Sequence, residues 1–468
     1  MPGALERRVG QPSSGHASPN SLAMKSWASW GLMWGSFLAL WVALNTWMPA
    51  PPWRLFSPPA GRMAPMAPKP VQVLRLPDAP NASPPLTTVD VEPLDSVPLP
   101  PSWKIAGSAR AWFQLGTFFQ KLEQAHRMQV DVYHWGDSQI EGDRITGALR
   151  EHFQKEHGGQ GAGWVMPLTP APTLAVRQST TGGVRRVAGF GPRRDAEARR
   201  LPFLAINRFD SASTWTLRSN PMARAHCQTW SNMALWQAGE GQWDVSPRPS
   251  SSPSAAAPWQ AWTHEEGLDG RTWRTAGATL LGANLTSGPG VYVHNLAMRG
   301  GSGTLFDDVP DADWRLLQEH TNPALVVLQF GGNAVPSIAN AKGARRYAQK
   351  VGQNIRHIQA QWPGVPILFI GPSDMGKNLN TYPGLQHTVT ALRDTALANH
   401  ALHWDLQAVM GGPGAMKRWV DQRWAGDDHV HFSVRGAQEA AQRLIQALAH
   451  ERALWANRRI QPAKLMEP

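Results

Sequence analysis

The chain has 468 residues and carries 45 Lys and Arg against 34 Asp and Glu, a formal charge of +11. That is room for a large core plus tails, and the positive balance suits an acidic partner such as an anionic polymer or a membrane surface. The single cysteine, Cys227, excludes an intramolecular disulfide framework and any cysteine-based metal cluster. No zinc-finger spacing, RNP-like motif or phosphate-cradling loop accompanies the charge, so nucleic acid is not an expected partner.

Residues 26–48 contain no charged side chain. As a helix they would cover the roughly 30 Å of a bilayer's hydrocarbon core. Arg7, Arg8 and Lys25 precede them, and Trp27, Trp30 and Trp47 sit near the ends where an aromatic belt belongs. The expectation is a single-pass anchor, with residues 1–25 cytoplasmic and the remainder outside the cytoplasm. A cleaved signal peptide is the alternative, but the apolar run is long and no small-x-small cleavage site follows it. Residues 49–101 shift to Pro, Ala, Ser and Val and predict an extended linker.

An apolar helix over 112–125 leads to a strand, Val130 to Trp135, which ends in Gly136-Asp137-Ser138. Ile140, Ile145, Leu149 and Phe153 then recur at roughly helical spacing, so the turn joins a strand to a helix over 140–153. That geometry lifts the Ser138 hydroxyl off the carboxyl edge of a parallel sheet and points helix N–H groups toward it. The glycine-rich run 157–164 lacks the Lys-Ser/Thr of a phosphate cradle and predicts a plain loop. Residues 172–290 form short alternating runs, such as 213–217, separated by turn residues, and predict an inserted β-rich, sandwich-like domain, with 246–258 as a loop.

That insert holds Trp215, Trp230, Trp236, Trp243, Trp259, Trp262 and Trp273. Such rings either stack on sugars or fill a core, and the core is the commoner fate. Arg185, Arg186, Arg193, Arg194, Arg199 and Arg200 fall in one short stretch, which can contact an anionic glycan or form a solvated loop. From 291 to 455 strands (290–297, 325–330, 366–371, 402–406) alternate with helices (312–319, 342–361, 387–399, 433–452). The rhythm implies right-handed crossovers and a parallel sheet binding ligands beyond its carboxyl ends. Residues 102–171 and 291–455 are thus two parts of one catalytic domain, and 456–468 a tail.

Four groups fall at that sheet edge: Ser138, the Arg299-Gly300-Gly301 turn, Gly331-Gly332-Asn333, and Asp427-Asp428-His429-Val430-His431 before the last helix. A serine needs a base at neutral pH; histidine suits, and a carboxylate can fix its tautomer. Asp428 with His431 is favoured because His431 lies nearer the helix start. Asp427 with His429 or His431 stays open, since His429 and His431 share a face if the segment is extended. Asp137 is expected to stabilise its turn rather than move protons. No metal or cofactor is expected: His134, His226, His294 and His403 show no ligand spacing.

In this order the motifs resemble the SGNH (GDSL-type) hydrolase family, with its three-layer α/β/α, flavodoxin-like fold. The resemblance implies Ser138 as nucleophile, His431 as general base and acid, and Asp428 as the residue orienting it. The Ser138 N–H, the Gly300 N–H and the Asn333 amide would form the oxyanion hole. Gln139 and Ala334 depart from the common pattern, in which an apolar residue follows the serine and Asp follows the asparagine. The stretches 134–143 and 404–412 resemble a bacterial envelope branch that includes peptidoglycan O-acetylesterases, some acting beside membrane-bound O-acyltransferases. The expected activity is removal of O-acetyl groups from an acetylated cell-envelope glycan. O-Acetyl transfer by the same residues and a non-catalytic glycan-binding scaffold are the alternatives.

Overall fold

The computed structural model describes residues 98–464 apart from 211, 240, 254–256, 322, 378 and 379. The expected membrane span at 26–48 and most of the linker lie outside the described residues. Among the described residues no helix is long and apolar enough to cross a membrane.

Helix α1 (Ala109–Glu123) begins where Ser108 accepts the Ala111 N–H, and it buries Phe118, Phe119 and Leu122. Strand β1 (Gln129–Gly136) follows and is buried from Val130 onward. After α2 (Thr146–His157) and β2 (Gln160–Val165) come the insert's strands. They are β3 (Val176–Thr181), β4 (Val184–Ala188), β5 (Ala205–Phe209), β6 (Ser213–Ser219), β7 (Asn232–Ala238), β8 (Trp243–Ser246), β9 (Trp259–Thr263), β10 (Thr272–Thr275) and β11 (Ala278–Ser287). The α/β rhythm resumes with β12 (Gly290–Ala297), α3 (Asp311–His320), β13 (Pro323–Gln329), α4 (Ala341–Gln361) and β14 (Ile367–Ile370). Two-residue strands β15 (Gly376–Lys377) and β16 (Asn380–Thr381) precede α5 (Leu385–Ala398) and β17 (Leu402–Trp404). Short α6 (Leu406–Met410) and α7 (Ala415–Asp421) lead to the closing α8 (Val434–Lys464).

The parallel sheet has the order β12-β1-β13-β14-β17, which places the serine strand between two hydrogen-bonded neighbours. Val130 and Val132 of β1 pack with Phe119, Leu149, Phe153 and Leu444 of α1, α2 and α8 on one face. Tyr133 and Trp135 point to the other, against Trp314, Ile355 and Leu392 of α3, α4 and α5. Alternation along one strand therefore serves two apolar layers, as a doubly covered parallel sheet requires. Each fully buried Leu or Ile contributes about 1.5–3 kcal/mol.

The insert is a pair of antiparallel sheets, β3-β6-β10-β8 and β4-β5-β11-β7-β9, with β2 also pairing β11. Trp215, Trp230, Trp243, Trp262 and Trp273 fill the space between them. Trp236 instead joins Trp164 and Phe203 in the layer that contains Tyr133 and Trp135, so the larger sheet is covered on both faces. The tryptophans are core; only Trp259 is half-buried, stacked on His320 with ring centroids 4.2 Å apart. Cys227 is buried as well, and burial raises its thiol's pKa.

Two sequence expectations change here. The glycine-rich run is strand rather than loop, because Gly163, at φ +69°, leaves the space that the His294 ring occupies. His294 accepts the Trp164 N–H on Nδ1 (3.2 Å), so its Nε2–H faces Asp131 at 2.9 Å, tying β12 to β2 and β1. Nor does a helix start at Ile140. Gly142 and Asp143 take φ of 72° and 67°, and α2 begins only at Thr146. Asp143 is held in that conformation by a buried ion pair with Arg150 (2.6 Å) and by the Thr146 hydroxyl (2.5 Å).

Candidate active site

Ser138 leaves the end of β1 where the Asp137 N–H donates to Gln329 O at 3.2 Å. Asp137 is buried; its Oδ1 accepts the Gln139 N–H at 3.0 Å and closes the turn. Burial pushes its carboxyl up to about 6, against the opposing pull of that N–H and of the His431 charge. No helix N-terminus backs the serine, because α2 starts eight residues later. Arg144 takes that place: its Nη2 donates to Ser138 O at 2.8 Å and its Nε to Glu141 O at 2.9 Å.

Ser138 Oγ lies 2.8 Å from His431 Nε2, and His431 Nδ1 lies 2.7 Å from Asp428 Oδ2. An ionised carboxylate only accepts, so Nδ1 carries the proton and Nε2 is the base facing the serine. Asp428 Oδ1 also accepts the Val430 and His431 N–H groups, both at 3.0 Å. What burial Asp428 has raises its pKa, but the His431 ring and the two amides outweigh it and hold the carboxyl below its ordinary value. Of the alternatives, Asp427 and His429 stand outside this chain of bonds. His429 adopts φ 55°, which breaks the extended run, and its carbonyl accepts the Gly376 N–H at 3.0 Å.

The histidine loop is fastened by two residues whose roles were not foreseen. Gln139 Nε2 donates to Val430 O at 2.6 Å and to Ser373 Oγ at 3.1 Å, while its Oε1 accepts the Phe432 N–H at 3.2 Å. Arg144 Nη1 donates to Phe432 O at 2.5 Å. A polar residue where the family pattern has an apolar one was the available signal for Gln139, since a buried amide needs partners. Arg144 gave no such signal.

Ser138, Gly300, Asn333 and His431 line one cleft of ≈ 560 Å³. Gly300 sits at φ +83° in the turn after β12, with open space where a Cβ would stand. Asn333 Nδ2 donates to Gly301 O at 2.9 Å, which fixes its amide beside that turn. Neither the Ser138 N–H nor the Gly300 N–H has an acceptor among the described residues, so both stay available for a developing oxyanion. The arginine-rich stretch divides: Arg200 grips Asp313 through 2.6–2.9 Å bonds and Arg199 meets Asp308 at 2.8 Å, fastening the insert to the α/β core. Arg185, Arg193 and Arg194 stay exposed. Among the described residues no group of His, Cys, Asp and Glu has the arrangement of a metal site.

Residues 259–439 match the family model described as GDSL-like lipase/acylhydrolase. That span is thus similar to GDSL-type hydrolases. The matched span contains Gly300, Asn333, Asp428 and His431 but not Ser138, because the insert separates the serine strand from the remaining blocks. The fold is similar to that of a solved peptidoglycan O-acetylesterase, with TM-score 0.62 at 22% identity over 75% of this chain and 99% of that one. A carbohydrate esterase family 2 enzyme with a carbohydrate-binding domain, from Corynascus thermopiles (Myceliophthora fergusii), matches at TM-score 0.25 and 13% identity, over 57% of this chain and 99% of that one. A protein from Lactobacillus plantarum matches at TM-score 0.26 and 16% identity, over 34% and 81%. No curated protein matches the sequence.

Proposed function

We propose that this chain is an SGNH-type serine esterase that removes O-acetyl groups from a cell-envelope glycan, peptidoglycan or an exported polysaccharide. The observation that carries the reading is the unbroken line Asp428–His431–Ser138 opening on a cleft with two unengaged N–H donors. Its similarity in fold to a peptidoglycan O-acetylesterase supports the choice of ester. Ser138 Oγ attacks the acetyl carbonyl as its proton passes to His431 Nε2. The Ser138 and Gly300 N–H groups and the Asn333 amide take the negative oxygen. His431 then returns the proton to the departing sugar hydroxyl, leaving an acetyl-serine that water, deprotonated by the same Nε2, hydrolyses to acetate. Charge-free residues 26–48 support anchoring in the inner membrane with the domain in the periplasm, where a membrane-bound O-acyltransferase is a fitting neighbour.

The test is acetate release from O-acetylated peptidoglycan by the full chain and its Ser138→Ala variant, with and without a chito-oligosaccharide acceptor. Release that falls about 1,000-fold or more in the variant and ignores the acceptor supports the esterase. Acetylated oligosaccharide in place of acetate would make the protein a transferase. Absence of Ser138-dependent chemistry on any acetyl donor would sink the enzyme reading. Sedimentation of the full chain with inner-membrane vesicles, lost on deleting 26–48, checks the anchor.

A further inference from the structure

The cleft in front of Ser138 is lined by two guanidiniums, Arg144 and Arg299, and one carboxylate, Glu141. Glu141 is buried, and both its oxygens accept from Arg299 Nε at 2.8 Å, with Oε2 also taking Nη2 at 2.5 Å. Arg299 precedes the oxyanion donor Gly300 in the chain. Its side chain is 51% exposed, and its Nη1 has no hydrogen-bond partner among the described residues. Arg144 uses its donors on three backbone carbonyls and bonds to no carboxylate. Asp428, a carboxylate whose charge Arg144 feels, is engaged by His431.

A further arginine, on the insert, feels the same charges without lining the cleft. Arg186 on β4 keeps a buried Nε with no partner, and its guanidinium lies 5.9 Å from the Phe190 ring centroid. Burial lowers its pKa, Glu141 raises it and Arg299 lowers it, so the three groups share one field. Of the two cleft guanidiniums only Arg299 pairs with Glu141, so Arg144 has no carboxylate partner and Arg299 keeps Nη1 free for an acceptor. Beside them the cleft presents apolar surface at Leu174 and Val434, 40% and 46% exposed. Apolar surface next to a guanidinium fork suits a sugar ring that bears a carboxylate.

We infer that Arg299, braced by Glu141, is a specificity residue that receives a carboxylate of the acetylated glycan while Ser138 attacks the ester. This rests on the esterase reading and names its substrate class: acidic glycans. The carboxylate can belong to a uronic acid or to a muramoyl unit with its stem peptide, and the substrates of the test separate these sources.

The experiment measures kcat and KM of the full chain on two matched pairs: an O-acetylated uronate oligosaccharide and an O-acetylated muramoyl fragment, each beside its carboxyl-amidated form. The expected result is at least a tenfold preference in kcat/KM for the acidic member of one pair, expressed mainly in KM. Arg299→Gln should bring that ratio close to one. Arg299→Lys, which keeps charge but loses the fork, should restore part of it, which a folding defect would not do. Equal rates on acidic and amidated members of both pairs, or a ratio untouched by Arg299→Gln, would overturn the inference while leaving the esterase intact. No Ser138-dependent release from any of the four substrates would instead overturn the esterase reading, and this inference with it.

Discussion

Ser138 and His431 meet at 2.8 Å from opposite kinds of support. The serine stands at the end of a buried strand paired on both sides by β12 and β13. The histidine stands on a stretch between α7 and α8 that belongs to no strand and is pinned by the isolated bridge Ala425–Phe432 and a few turn bonds, with the His431 and Asp428 side chains 41% and 52% exposed. What compensates is that both fasteners of the histidine loop, Gln139 and Arg144, come from the serine's own segment. The nucleophile's turn thus positions its base as well as itself, and the two shift together or not at all. A catalytic geometry can be held on an exposed loop when the tethers originate in the rigid half.

Asp428→Asn is the strongest blow to the weaker half. It keeps the shape but removes the acceptor that sets the imidazole tautomer, and kcat should fall about 1,000-fold with little change in KM. A loss below about tenfold, measured on any Ser138-dependent ester, would mean that the backbone amides and the tethers suffice without the carboxylate.

Gln139→Leu asks how much the tethers matter. It installs the residue type the family pattern favours but strands Phe432 N–H and Val430 O, and kcat should drop roughly tenfold, the loss of one or two buried hydrogen bonds. A structural role alone would lower the melting temperature without moving kcat, so both are measured.

The smallest effect lies on the serine side. The Asp137 carboxyl, raised to about 6 by burial, keeps a proton in the folded chain that the unfolded chain releases from about 4 upward. Stability should therefore fall as pH rises between those values. In Asp137→Asn that slope should flatten by a few degrees of melting temperature. A slope identical to that of the wild type would show the carboxyl already ionised in the folded state.

Much of the α/β core was legible because its signals are local. Strand β12 occupies the expected 290–297, α4 begins one residue before its expected start, and the Asp428 and His431 pair lies within four positions. Where the reading failed, backbone conformation overrode periodicity. Ile140 and Ile145 are spaced for a helix, but Gly142 and Asp143 in left-handed geometry delay it. Glycines of the 158–163 run look like a loop until β11 and His294 supply the surfaces they must approach. A place nearer the helix start favours His431 over His429, since alternation alone does not choose, and the φ of 55° at His429 shows why: the segment is not extended. Arg144 was invisible for a different reason: its acceptor Phe432 O lies 288 positions away, and no spacing rule reaches so far.

Strand β1 bears on the order in which the molecule is built. Gln129 pairs with Gly290 and Gly136 with Ala297, so these neighbours are joined by a loop of roughly 160 residues that contains the whole insert. Closing so long a loop adds little to the equilibrium cost, because that cost grows only with the logarithm of length. The kinetic cost is larger, since non-local parallel pairing is slow to search. A nascent chain holds its nucleophile strand early but cannot zip it to β12 until every insert residue has been synthesised. During that interval the β12-facing edge of β1 is bare, which makes this strand the natural point of chaperone capture or misassembly.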